Sequence, residues 1–237
     1  MGATPSVQKD NQRPDRPVCL AELLPSLNTG DVVLFCGNGF RATVERWLTW
    51  SEYSHVGMVQ LRQFPGMPHP TVCLWESVGH LDELPCLLHG RRKTGVRLVT
   101  LEDKVNEYIR ESPWSEVRLC VVPMCSRGPD GRAVMDRHLT DYVHQCCGVA
   151  YPTHTMDILR AGFPGLAGDG PPVSGMTCNR LIAETLVRMH AYRKELPVGQ
   201  ITLNSFIDGT ITDELQDHGV LDQVNYHWVV KPPVFHA

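Results

Sequence analysis

The chain has no apolar run of the roughly 18 or more residues that a helix needs to cross a bilayer, so no transmembrane helix is expected among its 237 residues. It also lacks a strong charge of either sign. A net charge of −4 exerts no electrostatic pull toward nucleic acid, and no nucleic-acid partner is expected. The stretch from Met1 to Pro17 is polar and contains prolines. It has no apolar segment of the kind a secretory signal requires, so a cytoplasmic location is expected. There is no C-x-x-C pair, no internal repeat and no low-complexity tract.

Cysteine, by contrast, is plentiful. Nine are present, at positions 19, 36, 73, 86, 120, 125, 146, 147 and 178. An odd count without a secretory signal points to reduced thiols rather than a disulfide scaffold. Cys73 and Cys120 lie inside strand-like apolar runs, where a thiol behaves as a small hydrophobe. The apolar fraction of 42% is enough to bury a core. The length suits one large domain over 19–237, preceded by a flexible tail over 1–18.

Apolar and β-branched runs predict strands over 31–35, 55–61, 71–78, 96–101, 116–122 and 227–230. Helical spacing predicts a short helix at 21–24 and longer ones over 40–50, 102–110, 133–147 and from Cys178 onward. Thr100 is the expected cap of the third of these and Gly148 the glycine that ends the fourth. Segments 126–131 and 161–176 read as loops. Strands fill the middle and helices flank them, so the class is α+β.

Three residues on such elements carry chemistry. Cys178 follows a Gly- and Pro-rich stretch and opens a helix, where the helix dipole and unpaired N–H groups favour a thiolate and could hold an oxyanion. The bland reading is a buried cysteine at a helix start. His55 begins an apolar strand, Tyr53-Ser54-His55-Val56-Gly57-Met58-Val59. It is either a half-buried histidine bonded to backbone or a base facing a thiol. Glu76 sits in the strand Thr71-Val72-Cys73-Leu74-Trp75-Glu76-Ser77, sharing a face with Val72 and Leu74. A carboxylate on an apolar face is costly unless paired, so it either pairs with an arginine or orients His55.

The order His55, Glu76, Cys178 resembles that of circularly permuted members of the NlpC/P60 papain-like group, in particular the amidase family that includes the bacterial YiiX-type proteins and poxviral relatives. The matching pieces are Gly30-Asp31-Val32-Val33-Leu34-Phe35, Tyr53-Ser54-His55-Val56-Gly57-Met58-Val59, Leu74-Trp75-Glu76-Ser77 and Thr177-Cys178-Asn179-Arg180-Leu181-Ile182, within a region of about 29–210. The segment around Tyr151 resembles a family stretch that precedes the nucleophile. Asn179-Arg180 departs from the Ser-Glu often found there, which touches the surroundings of the cysteine and not the triad. The resemblance implies a permuted papain-like fold, an antiparallel sheet or barrel flanked by helices. It also implies Cys178 as nucleophile, His55 as base and Glu76 as the orienting acid, cleaving an amide or ester of a peptide or lipid through a thioester. Two alternatives are an acyltransferase of the lecithin:retinol acyltransferase-like type and an inactive relative that binds a lipid or peptide. No cofactor is implied.

Three weaker signals remain. Cys36-Gly37-Asn38-Gly39-Phe40-Arg41-Ala42 fits a dinucleotide fingerprint, but the following strand lacks the acid that motif requires, and a tight turn is the simpler reading. Cys86 with His89, and Cys120 with Cys125, are single pairs without a second well-spaced pair to complete a zinc site, so no metal is expected. Gly2, with Ser6 behind it, fits a myristoylation pattern. One acyl chain would give only marginal attachment to a membrane surface.

Overall fold

The computed structural model describes residues 18–37, 51–80, 83–112, 117–126, 130–152, 175–191, 201–208, 211, 219–221 and 226–231. The myristoylation candidate Gly2, the tail through residue 17, the helix expected over 40–50 and most of the loop expected over 161–176 lie outside them.

Nine strands and four α-helices are described. The strands are β1 (Val18–Cys19), β2 (Val32–Cys36), β3 (His55–Arg62), β4 (Thr71–Val78), β5 (Gly95–Thr100), β6 (Val117–Val122), β7 (Met124–Ser126), β8 (Gly219–Leu221) and β9 (Tyr226–Lys231). The helices are α1 (Leu20–Leu23), α2 (Leu101–Glu111), α3 (Gly131–Cys146) and α4 (Cys178–Arg188). Seven strands form one sheet in the order β1-β9-β6-β2-β3-β4-β5, while β7 and β8 form a separate pair. Every pairing in the large sheet is antiparallel except that of β1 with β9. The α+β class is as expected.

Helices cover both faces of the sheet. On one face Val32, Leu34, Val56, Met58, Trp75, Val96 and Leu98 pack with Met135, Leu139 and Val143 of α3 and Leu181, Ile182 and Leu186 of α4. On the other, Val33, Phe35, Val59, Leu74, Val99 and Leu119 pack with Leu101, Val105 and Ile109 of α2 and with Leu23. Residues of one strand alternate between the two clusters, as the two-residue repeat of a strand requires. Burial on both faces explains why these strands read as nearly continuous apolar runs.

The elements differ from expectation in several places. Leu101 opens α2 rather than closing β5, because Thr100 caps the helix by accepting the Asp103 N–H at 3.0 Å. Ser126 belongs to β7 and Gly131 already lies in α3, so the loop expected over 126–131 is shorter at both ends. Val18, placed in the tail, pairs through β1 with Val230. Gly148 takes φ +104° just past α3, as a helix-ending glycine does.

The motif Gly30-Asp31 proves architectural. Gly30 turns the chain at φ +96° with an added Cβ 2.9 Å from Met124 Cγ, leaving no room for a side chain. The Asp31 carboxylate accepts backbone N–H bonds from Asn28 at 2.8 Å and Met124 at 2.9 Å, tying the start of β2 to the junction of β6 and β7. Gly57 serves packing: a Cβ there would meet Leu74 Cδ1 at 2.6 Å across the strand pair.

Candidate active site

His55 and Glu76 meet, as the sequence order of strands allows. β3 pairs with β4 so that Gly57 faces Glu76, and His55 projects from the same side of the sheet as Glu76. Its Nε2 lies 2.7 Å from Glu76 Oε2. The other carboxylate oxygen, Oε1, accepts from Arg97 Nε at 2.9 Å and Nη2 at 2.7 Å. Arg97 is opposite Glu76 in the β4–β5 register. Glu76 and Arg97 are both 0% exposed. The two readings of Glu76, arginine partner and histidine orienter, are therefore both realised, one on each oxygen.

Lys104 and Glu107 of α2 complete the network. Lys104 Nζ lies 2.8 Å from Glu107 Oε2 and 3.8 Å from Glu76 Oε2. Two cations face two carboxylates, so the buried group is charge-balanced with a neutral imidazole. The His55 ring also rests on Phe35, 5.7 Å between centroids, and Phe35 stacks on Tyr108 at 4.9 Å. Burial holds the His55 pKa below its ordinary value, although Glu76 pulls the other way. Burial would raise the Glu76 carboxyl, but Lys104, the His55 hydrogen bond and Arg97 outweigh it and hold the carboxyl far below the usual range. The contact is thus an N–H of neutral imidazole donated to a carboxylate, with Nδ1 as the ring's basic nitrogen. Arg97, Lys104 and Glu107 were not anticipated. The available signal was the charge at position 97 inside the strand Gly95-Val96-Arg97-Leu98-Val99-Thr100, at the same parity as Val99 on the α2 face.

Cys178 is the first residue of α4, half-buried, and packs against the cluster on the α3–α4 face of the sheet. His55 and Glu76 belong to the α2 face. The structure thus joins His55 and Glu76 by a hydrogen bond and sets Cys178 at the N-terminus of α4, whose apolar face packs on the α3 side of the sheet. The chain entering α4 is fixed to β4, because Ser77 Oγ donates to the Met176 carbonyl at 2.6 Å. Thr177 Oγ1, next to the cysteine, is buried without a hydrogen-bond partner.

The residues that replace the family's Ser-Glu are engaged. Asn179 donates its amide to the Ile201 carbonyl, and Arg180 Nε pairs with Glu184 Oε1 at 2.7 Å. Glu184 also accepts from Tyr142 at 2.9 Å, linking α4 to α3. The Tyr151 segment lies beside the approach to α4. Met176 N–H donates to the Ala150 carbonyl at 3.0 Å, and an added Cβ at Gly79 would lie 2.9 Å from the Tyr151 ring. Of the dinucleotide-like segment only Cys36 and Gly37 are described. None of the nine cysteines forms a disulfide.

No family model matches the chain, and no curated protein matches it. Among solved structures it is similar to the metalloprotein YiiX of Escherichia coli O157:H7, with 13% identity over 87% of this chain and 98% of that one and a TM-score of 0.41. A likeness of that size carries no argument about function. Among the described residues no helix is long and apolar enough to cross a membrane.

Proposed function

We propose that the protein is a cysteine acyl hydrolase of permuted papain-like fold, acting on an amide or ester through Cys178, His55 and Glu76. The observation that carries this reading is the fully buried carboxylate of Glu76 holding Nε2 of a neutral imidazole at 2.7 Å. A histidine so fixed has one ring nitrogen committed to orientation and Nδ1 left as base, the arrangement a nucleophile–base pair needs. Two features support Cys178 as its partner. The Ser77–Met176 bond pins the approach to α4 one residue beyond Glu76, and His55 opens β3 at that same end of the strand pair. The α4 N-terminus supplies a partial positive charge and N–H groups that favour a thiolate and an oxyanion.

In this mechanism Nδ1 of His55 accepts the Cys178 proton as Sγ attacks the substrate carbonyl. The imidazolium returns the proton to the leaving amine or alcohol. Water, deprotonated by the same nitrogen, then hydrolyses the thioester. An alcohol or amine in place of water would give the acyltransferase, detected as an acylated acceptor.

The test is the pH dependence of iodoacetamide alkylation at all nine cysteines, followed by mass spectrometry. Cys178 is expected to react fastest at a pH of about 6 and to lose that advantage in His55→Ala. Alkylation of Cys178 no faster than that of the other half-buried thiols, or unchanged in His55→Ala, would sink the reading and leave the binding relative.

A further inference from the structure

A second cluster of reactive side chains is built from residues other than His55, Glu76 and Cys178. Cys86, His89 and Cys147 offer Sγ, a ring nitrogen and Sγ that all lie within 4.8 Å of one another. The two sulfurs are 3.4 Å apart, and Cys147 Sγ is 3.9 Å from His89 Nδ1. Tetrahedral zinc, with Zn–S about 2.3 Å and Zn–N about 2.0–2.1 Å, spaces two sulfurs by about 3.8 Å and sulfur from nitrogen by about 3.6 Å. The two measured separations lie within a few tenths of an ångström of those edges.

The arrangement is built by the backbone. β5 is the edge strand of the sheet, and two segments cover its free edge end to end. Leu87 N–H donates to the Leu98 carbonyl at 2.8 Å, while Val96 exchanges bonds with Val149 and Gly148, also at 2.8 Å. The segments converge opposite Arg97, which sets Cys86 beside Cys147. Residues 86–90 form a closed turn, with the His89 and Gly90 N–H groups donating to the Cys86 carbonyl at 3.2 and 2.8 Å and Gly90 at φ +63°. That turn swings His89 back over Cys86. Cys147 ends α3 and is fixed by its N–H bond to Val143 at 3.0 Å.

We propose that Cys86, His89 and Cys147 form a tetrahedral zinc site that clasps the β4–β5 connection to the end of α3. Thiolate and imidazole donors select zinc over magnesium or calcium. Among the described residues the protein supplies three ligands, and the fourth position takes water or an exogenous ligand. Cys86 is buried and His89 is exposed, so the ion enters from the histidine side. Lys93 Nζ, 3.8 Å from Cys147 Sγ, sets a positive charge beside one thiolate. Each thiol still protonated releases its proton to solvent as the metal–sulfur bond forms. A disulfide would bond the same two sulfurs at about 2.05 Å and leave the imidazole without a role. Cys146, next in sequence, points elsewhere, its thiol lying against the Tyr142 hydroxyl.

The test is titration of the reduced, chelator-treated full-length protein with Co²⁺, followed by displacement with Zn²⁺. One equivalent of Co²⁺ is expected to give thiolate-to-metal charge-transfer absorption and the intense visible bands of tetrahedral cobalt, both abolished by Zn²⁺. Cys147→Ser, which leaves Cys86 as the remaining thiolate, is expected to lower the charge-transfer absorption per bound Co²⁺ or weaken binding more than about a hundredfold, and the exposed His89→Ala to weaken it about tenfold or more. Cys178→Ala is expected to bind as the parent does, so this result stands or falls apart from the hydrolase reading. No Co²⁺ or Zn²⁺ retained, binding unchanged in both His89→Ala and Cys147→Ser, or a Cys86–Cys147 disulfide in a protein that takes up no metal once reduced, would each overturn the proposal.

Discussion

At the scale of single residues, the Glu76 carboxylate is the atom group on which most else depends. It neutralises Arg97, with which it makes two hydrogen bonds, and fixes His55, all without solvent. Removing one partner of a buried ion pair leaves an uncompensated charge, which costs about 3–5 kcal/mol. Glu76→Gln keeps the shape and an acceptor for His55 but leaves Arg97 unneutralised. It is expected to lose stability of that order in urea denaturation, whereas Cys178→Ala, which removes one half-buried sulfur, is expected to lose far less. A loss below about 1 kcal/mol in Glu76→Gln would mean that water or Glu107 already compensates Arg97. Glu76 was legible in the sequence because a carboxylate stood where its strand neighbours are apolar. Lys104 was not, because a lysine in a helix reads as solvated until the helix is laid on the sheet.

At the scale of elements, β5 and its covering segments show how an exposed sheet edge is closed. Gly95 opens β5 at φ +92°, and a Cβ there would lie 2.1 Å from the Val149 carbonyl oxygen. Both the backbone conformation and the close approach demand glycine. Gly95→Ala is expected to destabilise the protein by more than the roughly 1–3 kcal/mol of the backbone strain alone. It is also expected to weaken Co²⁺ binding, because the displaced segment carries Cys147. An unchanged urea midpoint would show that the 148–149 segment moves aside freely. The strands and helices of this region were predictable from apolar spacing and from the Thr100 cap. The edge cover was not, since the bonds of Val96 with 148–149 join residues more than fifty positions apart in a segment with no strand pattern of its own.

At the scale of the whole molecule, the buried network predicts how stability responds to acid. His55 has a depressed folded pKa, so its contribution is complete above its unfolded value of about 6.5 and is lost as pH falls through the folded value. Glu76 is also depressed, and its contribution, present above the unfolded value of about 4.3, is lost at still lower pH. Both terms act in the same direction. Urea unfolding is expected to be nearly independent of pH from neutrality upward, as far as these two groups decide it, and to weaken steadily below about 6.5. His55→Gln is expected to flatten the first part of that fall. A profile unchanged by the substitution would mean that His55 protonates as readily folded as unfolded.

By itself the sequence determined the α+β class, most of the strands, the caps and the apolar faces, because each is set by spacing within a few residues. It also singled out His55 and Glu76, each a polar group anomalous on its own strand. The tertiary structure alone decided that Arg97 and Lys104 surround them, since strand register and helix docking bring those charges in. It alone laid α4 on the α3 side of the sheet, because which face a helix covers follows from packing rather than from the motif around the cysteine. Cys147 joins the lone Cys86–His89 pair for the same reason: both segments bond to one edge strand, and the partner lies 58 positions from His89. Local physics is written in neighbouring residues, whereas a site assembled across layers depends on which distant surfaces bury each other.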